Sequence, residues 1–193
     1  MLIIYNVAQR CPKQTAFQLH LSALQPLLCC SLPPLRVLSK SIVALIANCR
    51  DVSEITNLSL ESDEAKFFSD SFSGFMESGS ASVSGLHFSG EELLYSIKCL
   101  TSLPSNKNCF AVPDMLDTVS TLCLHDDITI AKLALEVHWN ISMEPTVALA
   151  IHCHESMIGT LKRMSVFTTG LADLTRNILW ILGYGNIAGE QEV

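Results

Sequence analysis

Val112-Pro-Asp-Met-Leu-Asp-Thr-Val-Ser-Thr-Leu-Cys-Leu-His125-Asp-Asp-Ile128, continued by Thr129-Ile-Ala-Lys-Leu-Ala-Leu-Glu-Val-His-Trp-Asn140-Ile-Ser142, is the stretch whose reading decides the fold. Met115, Val119, Leu122 and Cys123 recur at helical spacing after Pro113, and proline suits a first helical turn because that turn needs no N–H. His125-Asp126-Asp127 interrupts the pattern, and its carboxylates are short oxygen acceptors suited to cap a following helix and to favour its positive end. In that next helix Ile130, Ala131, Leu133, Ala134, Leu135, Val137, His138 and Ile141 cover most of the circumference. A helix apolar on so many sides is expected to lie between neighbours on both flanks.

The same frame recurs outward from this unit. Asn6, Asn48, Ser102, Asn140 and Gly183 each sit near the end of an apolar run, at intervals of 42, 54, 38 and 43 residues. A period of roughly 40 to 47 residues marks helical units that bury their apolar faces only by stacking. Downstream, a short helix Pro145 to His152, a second through Ser156 to Val166 and a third from Gly170 to Gly185 are expected, with Leu161, Met164, Leu171, Leu174, Ile178, Ile181 and Leu182 in the core. Upstream, Ser22 to Leu32 and Leu35 to Cys49 form a helix pair with Pro33-Pro34 in the turn between them. Met1 to Ala8 reads as the last helix of a preceding unit. The 54-residue interval holds an apolar helix face of Phe67, Phe68, Ser71, Phe72, Phe75 and Met76, and Glu61-Ser-Asp-Glu64 supplies a cap for a helix beginning at Ala65. Its surplus length falls in a Gly/Ser-rich connector at about 77–90, since loop growth costs little. The expected organisation is one all-α domain over 1–193: a partial repeat 1–9, then repeats at about 10–50, 51–104, 105–143 and 144–186.

Composition narrows the function classes. Twelve Lys plus Arg stand against nineteen Asp plus Glu, a net charge of -7, and no segment concentrates cations. Nucleic acid is therefore a poor partner, since phosphate binding begins with a basic face. Eight cysteines without a CxxC pair, and no secretory leader before them, read as reduced core thiols in a cytoplasmic or nuclear protein. The longest charge-free stretch, Gln14 to Leu35, carries glutamines, a histidine and prolines, so no membrane insertion is expected.

The string Ala134-Leu-Glu-Val-His-Trp139-Asn140-Ile-Ser142, with weaker copies at Met1 to Ala8, Ala44 to Arg50, Ile97 to Leu103 and Ile178 to Gly185, resembles the third helix of armadillo repeats. The resemblance covers nearly the whole chain. It implies a right-handed α-solenoid of about four repeats whose third helices line a concave groove for extended peptides, with Asn side chains holding the ligand backbone. The nuclear-import receptors of that family place a Trp four residues before the Asn. Here those positions are Ala44, Glu136 and, before Gly183, Leu179, a departure that argues against a nuclear-localisation-signal receptor. Stepping back along the helical period from each marker gives the expected groove: Lys40, Ala44 and Asn48; Tyr95, Lys98 and Ser102; Leu133, Glu136 and Asn140; Arg176, Leu179 and Gly183. Lys40, Asn48, Tyr95, Lys98, Ser102, Glu136, Asn140 and Arg176 are the candidate partner-binding residues. Their mixed charges suit a protein or peptide that carries acidic groups.

Chemistry finds little footing. His152-Cys153-His154 combines metal-ligand types, but helical neighbours point about 100° apart, so the three cannot converge on one ion unaided. His125-Asp126-Asp127 is explained by a turn and cap, Cys29-Cys30 by apolar packing, and His138 by a hydrogen-bonded core position. No phosphate loop, GxSxG or HExxH motif is present. The expectation is a non-catalytic interaction scaffold without cofactor or metal. A second reading is a regulatory or autoinhibitory arm that senses a small ligand in a larger signalling protein with a TIR, death or kinase domain. A third is a structural fragment, with Leu2-Ile3-Ile4-Tyr5 and Ile178 to Ile187 as apolar ends that associate end to end or continue into further repeats.

Overall fold

Proline opens several of the described helices. In the computed structural model, which describes residues 2–13, 19–47, 57–78, 81–83, 86–167 and 170–184, prolines occupy the first turns of helices that begin at Gln25, Pro33, Pro113 and Pro145. The expectation that Pro33-Pro34 forms an inter-helix turn is corrected. Both prolines are the first two residues of the helix itself, where their missing N–H groups have no partner to lose.

The chain divides into two compact units, Met1–Asn106 and Lys107–Val193. In the first, α1 (Leu2–Arg10), a 3-10 turn (Leu21–Ala23), α2 (Gln25–Leu28), α3 (Pro33–Ala47), α4 (Ser62–Ser78) and α5 (Gly90–Thr101) surround α3. Helices α1, α2, α4 and α5 all pack on α3, and every residue from Arg36 to Ile46 is buried. Helix α4 starts three residues earlier than the expected Ala65, because the Glu64 carboxylate reaches back to accept from the Glu61 N–H at 2.7 Å.

The stretch read as a Gly/Ser connector contains an antiparallel hairpin. Strands β1 (Ala81–Val83) and β2 (Leu86–Phe88) pair Ala81 with Phe88, Ser82 with His87 and Val83 with Leu86. Strand β1 lies on α4. Phe88 is buried, with its ring 5.7 Å from that of Phe67 in edge-to-face contact. Residues 79, 80, 84 and 85 of the connector lie outside the described residues. Apart from this ribbon the described residues are helical, in agreement with the expected all-α class.

In the second unit a 3-10 segment (Pro104–Phe110) begins before the division. Then follow α6 (Pro113–Leu122), α7 (Ile128–Ser142), α8 (Pro145–His152), α9 (Glu155–Phe167) and α10 (Ala172–Ile181). The central α7 packs against α6, α8 and α10, while α9 packs against α6, α8 and α10. Asp127 caps α7 as its sequence position indicated, accepting from the Thr129 N–H at 2.8 Å. Nine α7 residues, Ile130, Ala131, Leu133, Ala134, Leu135, Val137, His138, Ile141 and Ser142, are buried. Among the described residues no helix is long and apolar enough to cross a membrane.

Candidate functional site

The expected groove residues separate into inward and outward sets. Lys40 is a correction: only 1 % of its surface is exposed, and its ammonium donates to the Glu64 carboxylate at 2.6 Å and to the Ser59 carbonyl at 2.7 Å. Glu64, fully buried, also accepts from Arg36 Nε at 3.0 Å. Arg36 is further held by Asp63 and by the Cys30 carbonyl. Two cations and the buried carboxylate thus satisfy one another inside the first unit. Ala44, Leu133 and Leu179 are likewise buried, so the projected face runs partly into the core. Asn48 lies outside the described residues.

Tyr95 and Lys98 lie half-buried on α5, with the Lys98 ammonium 5.5 Å from the centre of the Tyr95 ring. Ser102 is exposed at the C-terminal end of α5. In the second unit Glu136 and Asn140 are half-buried on α7, and Arg176 is exposed on α10, ion-paired to Asp173 on its own helix.

Tyr95 also lines a polar cleft in the first unit, together with Asn6, Arg10, Ser89, Glu91 and Glu92, enclosing about 570 Å3. Two local devices build it. Ser89 and Glu92 form a reciprocal capping box at the start of α5, with the Ser89 N–H donating to Glu92 at 2.9 Å and the Glu92 N–H to Ser89 at 3.2 Å. Beneath, the Tyr5 hydroxyl donates to the Glu92 carbonyl at 3.1 Å and receives from Ser96 at 2.8 Å, tying α1 to α5. Burial pushes the Tyr5 phenol well above its usual range, so it stays a neutral donor. One turn-mate away, the Asn6 side-chain oxygen is buried with no hydrogen-bond partner among the described residues. A buried acceptor without a donor costs about 1 to 3 kcal/mol. Asn6 was visible in the sequence as a frame marker, but its pairing with α5 was not.

The remaining polar clusters do other work. His125 and Asp127 form the expected turn: the Asp127 N–H donates to His125 Nδ1 at 3.0 Å, and bonds from the Thr129 amide hold the Asp127 carboxyl below its ordinary range. His152 and His154 diverge. The first contacts the Leu182 carbonyl at 3.3 Å, the second lies 3.5 Å from Asp117, and no three metal-ligand side chains converge among the described residues.

Asp117, His154 and Ser156 make a constellation that the sequence did not suggest, because 37 residues separate Asp117 from His154. Its residue types are those of a nucleophilic triad, but its geometry is not. His154 lies 3.4 Å from the Ser156 hydroxyl and 3.5 Å from Asp117, both long contacts, while the Ser156 hydroxyl also donates straight to Asp117 at 3.2 Å and that carboxylate is largely exposed, so the relay is loose and short-circuited.

The thiols also need correction. Cys123 is buried, but Cys11, Cys29 and Cys153 are exposed, and Cys30, Cys99 and Cys109 are intermediate. Cys49 lies outside the described residues. Burial pushes the Cys99 thiol up to about 12 and Cys123 higher still, so neither is a nucleophile at neutral pH. His138 is fully buried as expected, but neither ring nitrogen has a hydrogen-bond partner among the described residues.

Comparison with protein-family models, with curated proteins and with solved structures finds no match for this chain.

Proposed function

We propose that this chain is a non-catalytic interaction scaffold with armadillo-like stacked repeats, binding an extended peptide or protein segment. The observation that carries the reading is the cleft between α1 and α5, where the unpartnered Asn6 acceptor lies beside Arg10, Glu91 and Tyr95. The polar wall of Asn6, Ser89 and Glu92 offers hydrogen-bonding side chains to a peptide backbone. Tyr95 offers a flat apolar face, and the opposed charges of Arg10 and Glu91 select the flanking side chains.

Lys98 and Ser102 on the same helix, and Glu136, Asn140 and Arg176 in the second unit, remain candidate contacts. Lys40 does not, because its ammonium is already bound internally. The free thiols of Cys29, Cys30, Cys99, Cys123 and Cys153 support a cytoplasmic or nuclear setting.

The test begins with a partner captured from cell extract by the full chain and mapped to a minimal peptide. Its affinity is then measured by calorimetry for Asn6→Ala, for Tyr95→Ala and for the combined Lys98→Ala, Glu136→Ala, Arg176→Ala variant. Asn6→Ala and Tyr95→Ala are each expected to weaken binding by about tenfold, equivalent to about 1.4 kcal/mol. Circular dichroism should show unchanged helicity. Affinity indifferent to all three variants moves the site elsewhere.

A further inference from the structure

The second unit carries an apolar groove that the scaffold reading does not use. Met143, Pro145, Ala148, Leu149, Ile181 and Leu182 line an open cavity of about 540 Å3, where the ends of α7 and α10 meet α8. Leu149 is 66 % exposed and Met143 nearly half, so the walls present uncovered hydrocarbon. The rim is cationic and aromatic. The His152 ring stacks on Tyr184, with centres 4.9 Å apart and planes 18° from parallel, and the Lys162 ammonium lies 4.8 Å from the Tyr184 ring centre.

The Leu182 carbonyl can only accept, so the contact at 3.3 Å makes His152 Nδ1 the protonated nitrogen. That leaves Nε2 to accept from a ligand, or to donate to one when the ring is charged. Arg163 is exposed next to Lys162. Glu144 and Glu155 are near in sequence, but among the described residues no carboxylate lines the cavity.

We propose that this groove docks a short extended segment of a partner protein carrying one large aliphatic or aromatic side chain beside carboxylates. The hydrocarbon walls take the side chain. Lys162, beside the His152–Tyr184 stack, meets the negative groups. Charge complementarity selects this occupant, since a neutral or basic segment would leave the cationic rim unanswered. An open wall in which Leu149 is two-thirds exposed suits a segment laid across it better than an enclosed small molecule.

A phage-displayed random octapeptide library, selected on the full chain and counter-selected on Leu149→Asp, tests the proposal. Enriched sequences should combine a large apolar residue with Asp or Glu. Synthetic copies should bind at least about tenfold more weakly to Leu149→Asp and to Lys162→Glu/Arg163→Glu, with unchanged circular dichroism. Lys162→Gln/Arg163→Gln should give an intermediate loss, so a failure of one charge reversal to fold does not leave the question open. No enrichment over Leu149→Asp, enrichment of basic or carboxylate-free sequences, or a concentration-dependent dimer abolished by Leu149→Asp would each overturn it. The groove is separate from the α1/α5 cleft, and either result leaves the scaffold reading standing or falling on its own test.

Discussion

Helices α3 and α7 occupy equivalent places, each the central element of its own unit, and they solve the burial of polar side chains in opposite ways. In α3, Arg36 and Lys40 enter the core charged, and Glu64 from the next helix answers both. In α7, His138 enters the core with both ring nitrogens unpartnered among the described residues. A charge costs too much to bury alone, so α3 requires its partner. An imidazole can instead discard its proton, and burial depresses the His138 pKa to about 3, keeping the ring neutral. The difference predicts a network that breaks all at once and a histidine that records pH.

Breaking the α3 network carries the largest expected effect. Glu64→Ala leaves Arg36 and Lys40 buried with their main counter-charge gone, and should destabilise the chain by about 3 to 5 kcal/mol in urea unfolding. Replacing all three residues by apolar ones of similar volume should be nearly neutral or stabilising, because their desolvation is then removed together. If Glu64→Ala costs less than about 1 kcal/mol, the cluster is solvated and the contrast with α7 dissolves.

That network also marks where the sequence stopped being legible. Local rules placed Pro113, Asp127 and Pro145 to His152 correctly, because a proline, a cap or a helical period acts within one or two turns. Glu61 to Glu64 was recognised as a cap, but the partners that bury Glu64 lie 24 and 28 residues back, and nothing local announces them. Asn106 is similar. Its amide accepts from the Leu60 N–H at 2.8 Å and donates to the Leu58 and Leu100 carbonyls, holding the approach to α4 against the end of α5. In the sequence it stands out only by its place near the start of the repeat at about 105–143. Projection from Asn48 put Lys40 outward because the helical period fixes which residues share a face, not which face meets the core. The hairpin was missed because it lies inside a connector rich in Ser and Gly, although Phe88 anchors it to Phe67.

The α7 side of the comparison is sharpened by titration. A histidine with a depressed folded pKa stays neutral in the native state while the unfolded chain takes up a proton below about 6.5. Its contribution is therefore complete above that value and is lost as pH falls towards about 3. Stability should decline by up to about 1.4 kcal/mol per pH unit from this residue between those limits. His138→Leu should remove that part of the slope, and at neutral pH should leave stability unchanged or raise it by about 1 to 2 kcal/mol, since two unpaired nitrogens are replaced by hydrocarbon. Denaturant unfolding of both proteins from pH 7 to pH 4.5 checks it, a range chosen above the ordinary carboxylate titration. Parallel slopes would mean that His138 finds partners in solution.

The smallest contrast lies in the helix caps, one neutral and one charged. The α5 cap is the Ser89 hydroxyl, which cannot titrate, and Ser89→Ala should cost about 1 kcal/mol. The α7 cap is the exposed Asp127 carboxylate, held below its usual pKa by the Thr129 amide. A depressed carboxylate contributes above its unfolded pKa, and the contribution disappears as pH falls through the folded value. The difference in melting temperature between the wild-type chain and Asp127→Ala should therefore shrink on acidification from about pH 7 to about pH 2.5, whereas the difference for Ser89→Ala should keep the share owed to the hydroxyl. A gap for Asp127→Ala that stays constant with pH would show that the cap acts through its shape and not its charge. The α7 entry would then follow the same neutral logic as α5.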